Sequence, residues 1–149
     1  VIHGPDFFVK RAAGSYLLDL TVVGFPPLKV LITLGADGTF SSEDTTDYGV
    51  FAPVGGPSFE SHNRGAWQCT GRHEVTFNSV GFSYAADGSL VGVGRLWGKL
   101  KFGNGMTAFS SAGQHDFFLQ GQDPLDPDSV PDDVIPWTAT GRRIPAFLK

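Results

Sequence analysis

Tight-turn signals recur along this chain, each between two runs of β-forming residues, and this pattern limits the fold more than any other feature. Gly35-Ala36-Asp37-Gly38 and Ala86-Asp87-Gly88-Ser89 are near repeats, and Gly103-Asn104-Gly105 is a third. Asp-Gly and Asn-Gly steps tolerate the positive φ of a two-residue hairpin turn, which returns a strand antiparallel to itself. The runs they separate are Tyr16 to Val23, Leu28 to Leu34, Thr39 to Ser42, Gly65 to Arg72, Val75 to Tyr84, Leu90 to Phe102, Met106 to Leu119 and Trp137 to Ile144. The prolines at 26 and 27 end the first run, since proline cannot donate to a ladder.

Eight such runs, with no 3.6-residue periodicity between them, predict an all-β fold. With 20 Gly and 10 Pro in 149 residues, long helices are disfavoured. Sequential antiparallel strands pair most simply in up-and-down order, and closing the sheet removes its exposed edges. The expectation is one antiparallel up-and-down β-barrel of about eight strands, a single domain over residues 1–149. Residues 1–13 are expected to be a lead-in packed across one end. The connections 43–63 and 120–136 are too long for plain hairpins and are expected to frame an entrance.

The charge balance argues against a nucleic-acid partner. The net charge is -4, and the 11 basic residues are scattered apart from Arg142 and Arg143. No apolar run approaches the roughly 18 residues that span a bilayer, so a soluble protein is expected. The single cysteine, Cys69, excludes an intrachain disulfide and is expected to be buried beside Trp67. The compartment stays open: a cytoplasmic protein, or a secreted one after removal of a leader, suits the sequence, and so does a homo-oligomer.

Several segments together resemble a family. Gly14-Ser15-Tyr16, Gly65-Ala66-Trp67 (here in the fourth strand), the Asp-Gly hairpins and Thr140-Gly141-Arg142-Arg143-Ile144 are similar to small bacterial lipocalin-like, calycin-type proteins over about residues 14–144. That resemblance implies a barrel with an internal cavity and no particular ligand.

No motif fixes a reaction. The histidines at 3, 62, 73 and 115 show no metal-ligand spacing, and Cys69 completes no zinc set, so neither a metal nor a cofactor is expected. The Asp-rich stretch 120–136 lacks the spacing of a calcium loop. His73-Glu74 and His115-Asp116 are strand neighbours that point to opposite faces, so neither pair is an internal dyad. His62 ends the long aromatic connection, where a histidine near neutrality serves as acid or base.

The run Val91-Gly92-Val93-Gly94-Arg95-Leu96-Trp97-Gly98 lacks the spacing and following helix of a dinucleotide motif. Its alternation sets Val91, Val93, Arg95 and Trp97 against Gly92, Gly94, Leu96 and Gly98, and leaves open which face is inward. With Arg95 and Trp97 inward, a cation beside an aromatic shelf would suit a carboxylate or carbonyl. Trp67, Phe51 and Phe59 are the further ligand-binding candidates, and Tyr48, His62 and His115 the catalytic ones. The aromatics Trp97, Trp137, Phe77, Phe82, Phe109 and Phe117 are expected in the core or on the cavity wall. Two functions follow. The barrel binds a small apolar or aromatic molecule, or it is a cofactor-independent cyclase, isomerase or lyase acting on one in the same cavity.

Overall fold

The computed structural model describes residues 5–47, 50–52 and 56–147, and the side chains of 7–47 and 59–147. Its elements are α1 (Pro5–Ala12), β1 (Gly14–Thr21), β2 (Leu28–Leu34), β3 (Thr39–Asp44), β4 (Val50–Ala52), β5 (Gly56–Glu60), β6 (Asn63–Gly71), β7 (Glu74–Ala85), β8 (Leu90–Phe102), β9 (Ala108–Leu119) and β10 (Asp133–Arg143). Strands β1, β2, β3, β6, β7, β8, β9 and β10 pair antiparallel in that order. β10 returns to β1, with Tyr16 opposite Arg143 and Leu20 opposite Ala139, so the eight-stranded barrel is closed. The β4–β5 hairpin continues the sheet beyond one end of β7. Among the described residues, no helix is long and apolar enough to cross a membrane.

The repeated turns have the chemistry their sequences imply. Asp37 Oδ1 accepts from the Thr39 N–H at 3.0 Å and its hydroxyl at 2.7 Å, and Asp87 Oδ1 does the same for Ser89 at 2.9 and 2.6 Å. These bonds hold both carboxyls below the ordinary range. Gly38 and Gly88, at φ +88° and +84°, supply the left-handed step.

The lumen of an eight-stranded barrel has little room, and this chain fills it by setting rings against glycines. The stripe Gly92, Gly94, Leu96, Gly98, Leu100 and Phe102 faces inward on β8. A Cβ on Gly98 would lie 2.8 Å from the Trp137 ring, and one on Gly113 would lie 2.6 Å from the same ring. Phe40 stacks on Phe77 at 4.4 Å between centroids, and Phe77 meets Trp137 at 6.2 Å, so a row of rings crosses the lumen. Tyr16, Phe102 and Phe109 form a second, edge-to-face group. Trp67 is buried among these core side chains and donates its indole N–H to Gly35 O at 2.9 Å.

Helix α1 plugs this end of the barrel; the sequence reading expected a lead-in packed across one end, without a helix. Phe8 packs edge-on to Phe102, and Ala12 is fully buried. The carbonyls at its C-terminus have no intrahelical partner, and Arg143 supplies one. Its guanidinium donates to Ala13 O at 2.9 Å, to Arg11 O, and to the Tyr16 hydroxyl at 2.7 Å. Tyr16 in turn donates to Ala12 O at 2.7 Å. Gly14 is required beneath the guanidinium: its φ is +149°, and a Cβ there would lie 2.6 Å from Arg143 Nη1.

Other boundaries also differ from the sequence reading. β3 runs on to Asp44, and β10 begins at Asp133, with Pro136 opposite Gln114 inside the pairing. Met106 is a turn residue, at φ +59°, whose side chain enters the core. The 43–63 connection contains the β4–β5 hairpin. Cys69 is half-buried against the core rather than fully enclosed. Gly113→Ala is predicted to destabilise the protein by about 1–3 kcal/mol, because the added carbon meets backbone as well as the indole and neither can move away. Urea unfolding midpoints of the two proteins measure this.

Candidate functional site

Among the described residues, the opposite end of the barrel has no helical plug, and polar groups line it. Ser42, Asn63, Ser79 and Ser83 are all buried there. Asn63 Nδ2 donates to Ser42 Oγ at 3.2 Å, Ser79 Oγ to Leu96 O at 3.0 Å, and Ser83 Oγ to Glu60 Oε2 at 2.6 Å.

A β-bulge creates this arrangement. Glu60 of β5 lies opposite Ser83, and Arg64 of β6 lies opposite Val80, so the β5–β6 edge carries one residue more than β7 between these pairs. Ser61 and His62 form the bulge: Ser61 N donates to Phe82 O at 2.8 Å, and Ser61 Oγ accepts from Phe82 N at 2.7 Å. Glu60 and Asn63 therefore both turn inward, while His62 turns out. Gly81 gives the Asn63 side chain room to cross, since a Cβ there would lie 3.2 Å from its Cγ.

The electrostatics of this end are unusual for surface carboxyls. Burial pushes Glu60 up to about 7 against the Ser83 hydrogen bond, and the carboxylates of Asp44 and Asp47 add to the shift. His115 faces inward from β9, beside Gly94, where a Cβ would lie 3.0 Å from its Cε1. Burial pulls its pKa down, opposed by Asp44, Asp116 and Asp133. Protein surrounds the imidazole, yet its residue remains partly exposed. Phe117 and Ile135 share this inward face.

On the outer side of the same rim, His62 Nε2 lies 3.1 Å from Glu43 Oε2 and 3.5 Å from Asp47 Oδ2. Asp47 is raised to about 6, first by burial and then by Asp44, against the N–H of Asp44 and the His62 charge. Glu43 and His62 border a groove between β2, β3 and β6 that includes Thr33, Ser41 and Arg64.

The sequence candidates separate into distinct groups. His115 enters the lumen and His62 stands at the rim. Trp67 belongs to the plugged end, and Phe59 is an exposed residue of β5. Tyr48 lies outside the described residues, as does the Phe51 side chain. Arg95 and Trp97 face outward, which corrects the expectation that they line the cavity: the glycine face of β8 is the inner one because the rings of β9 and β10 need that space. Phe82 is likewise exposed.

On the outer wall Arg95 and Trp97 instead share the Asp116 carboxylate of β9, and Arg95 also anchors the 120–132 connection. Arg95 donates to Asp116 Oδ2 through Nη2 at 2.8 Å and to Pro124 O through Nη1 at 2.7 Å, and Trp97 Nε1 donates to the same carboxylate oxygen at 2.8 Å. The guanidinium also sits 5.0 Å from the centre of the buried Phe118 ring. Sequence reasoning missed Glu60, Asn63 and Ser83. Their only signal was a polar residue flanking the long connection, and a bulge has no sequence code.

No protein-family model matches the sequence, and neither does any curated protein. Among solved structures, it is similar to a de novo designed fluorescence-activating β-barrel, with 11% identity over 91% of this chain and 96% of that one, at a TM-score of 0.45. A redesigned β-barrel is similar at 12% identity, over 92% of this chain and 95% of that one, with a TM-score of 0.44. These likenesses assign no family, and the closed strand pairing carries the fold by itself.

Replacing Arg95 with Met leaves the Asp116 carboxylate, 4% exposed, without its cation. The variant is predicted to lose about 2–3 kcal/mol of stability. Amide exchange should quicken across residues 120–132, while the amides of β1 and β2 keep their relative protection.

Proposed function

We propose that the open end of the barrel binds a small molecule, with an apolar or aromatic body against Phe117 and Ile135 and a hydrogen-bonding head toward Glu60, Ser83 and His115. One observation carries this reading: Glu60, bonded to Ser83, and His115, beside Gly94, both turn inward at the barrel end away from the helix, where burial raises the pKa of the first and lowers that of the second. Near pH 7 such a carboxyl is divided between donor and acceptor forms, and a neutral imidazole offers one of each. A carbonyl or hydroxyl head group finds partners there. The row of rings from Phe40 to Trp137 closes the lumen beneath, so the ligand occupies the upper part only. A lipocalin-like relationship belongs to the same proposal and is supported by the up-and-down closure.

The second reading, a cofactor-independent isomerase, cyclase or lyase, is favoured by Glu60 itself. A group with a pKa near the working pH both gives and takes protons efficiently. Its signature would be a rate profile with an inflection near pH 7 that Glu60→Gln abolishes.

Titration with the neutral probe Nile red tests binding. Saturable fluorescence is expected, displaced by aromatic alcohols and ketones, with those competitors weakened about tenfold in Glu60→Ala through loss of a hydrogen bond. A folded protein that gives no saturable signal contradicts the proposal.

The raised Glu60 pKa also makes a stability prediction. Its folded value of about 7 exceeds the ordinary 4.5, so folding favours the protonated acid. That stabilisation is complete below about pH 4.5 and fades as pH rises through 7, by up to roughly 3 kcal/mol. Glu60→Gln should remove this part of the loss, so urea midpoints at pH 8 and pH 5 lie closer together than in the parent. Asp47, raised in the same direction, leaves a smaller residual slope.

A further inference from the structure

We infer that Glu43, Asp47 and His62 form a binding site for a divalent transition-metal ion of zinc-like chemistry, on the outer rim of the barrel and independent of the small-molecule site. The three donors come from two parts of the chain: the end of β3 with its following turn, and the bulge before β6. Local spacing therefore holds no trace of them. One ligand atom from each lies within 4.8 Å of the others. The imidazole Nε2 is 3.1 Å from Glu43 Oε2 and 3.5 Å from Asp47 Oδ2. Two ligands each about 2.1 Å from a tetrahedral centre stand roughly 3.4 Å apart, so both edges already have the length such an ion requires.

A second observation separates this cluster from an ordinary surface ion pair. The Asp47 side chain is only 4% exposed, and its Oδ1 is buried with no hydrogen-bond partner among the described residues. Oδ1 is not the oxygen that faces His62, but a carboxylate oxygen buried without a donor is costly, and a cation held by both oxygens of Asp47 would supply what is missing. Asp47 Oδ2 is held by the Asp44 N–H at 3.2 Å, which fixes the carboxylate toward His62. Glu43 and His62 are about half exposed, so an ion has a path from solvent.

One imidazole nitrogen and two carboxylate oxygens suit Zn²⁺ or Co²⁺, whereas Ca²⁺ and Mg²⁺ bind through oxygen alone. Three protein ligands leave a coordination position open, as in catalytic rather than structural zinc sites. It would be filled by water or by an anion from the groove, where Arg64 stands nearby.

Direct titration tests the inference. The protein, stripped with chelator, is titrated with Zn²⁺ by calorimetry and with Co²⁺ by visible absorption. One equivalent of each is expected to bind, with the Co²⁺ bands of a low-coordinate site. His62→Gln and Glu43→Gln alter half-exposed side chains and should fold normally by circular dichroism. Each should weaken both metals at least tenfold. Absence of saturable binding below millimolar metal, or binding that persists unchanged in both folded variants, overturns the site.

Discussion

The volume of the lumen is the constraint on which the rest of this structure depends. Eight strands enclose too little space for a large side chain at every inward position. Here the difference is settled residue by residue, with Trp137 over Gly98 and Gly113, Phe109 over Gly141, and His115 beside Gly94. Each pairing joins a ring on one strand to a missing side chain on a neighbour or on the next strand but one. The same pairings fix which face of β8 is inner, and hence that Arg95 and Trp97 serve the outer wall.

Two unlike ends follow from this packing. At one, α1 seals the barrel, and the Arg143 guanidinium ties the helix's last carbonyls to Tyr16 and the closing strand. At the other, the bulge at Ser61 and His62 turns Glu60 and Asn63 inward and turns His62 out toward Glu43 and Asp47. A single extra residue thus supplies both the internal carboxyl and the external donor cluster. Desolvation does the rest: it leaves Glu60 and Asp47 reluctant to ionise and His115 reluctant to protonate.

The eight barrel strands and their order were legible in the sequence because hairpin turns have local chemistry: the Asp-Gly and Asn-Gly steps marked where the chain reverses, while the β4–β5 hairpin was not. Helix α1 was not legible, since eight residues carry little periodicity and its stability comes from docking on Phe102 and Arg143. Alternation along β8 identified two faces correctly without saying which was inner, as that depends on rings contributed by β9 and β10. Of the candidate site, the sequence limited the His115-Asp116 pair to one inward member without saying which, and the structure turns His115 in. Glu60 was not, because its direction is set by a bulge that only the pairing of β5 and β6 with β7 reveals.

The central claim is that the free end of the barrel holds an internal carboxyl poised near neutrality while the plugged end is filled with rings. A pH titration of the Glu60 side-chain carboxyl carbon by NMR, in the folded protein, addresses this most directly. The account predicts a midpoint near 7, where the burial of Glu60 beside Ser83 sets it. A midpoint in the ordinary carboxylate range would mean that Glu60 is solvated, and would contradict both the inward turn at the bulge and the binding site built on it.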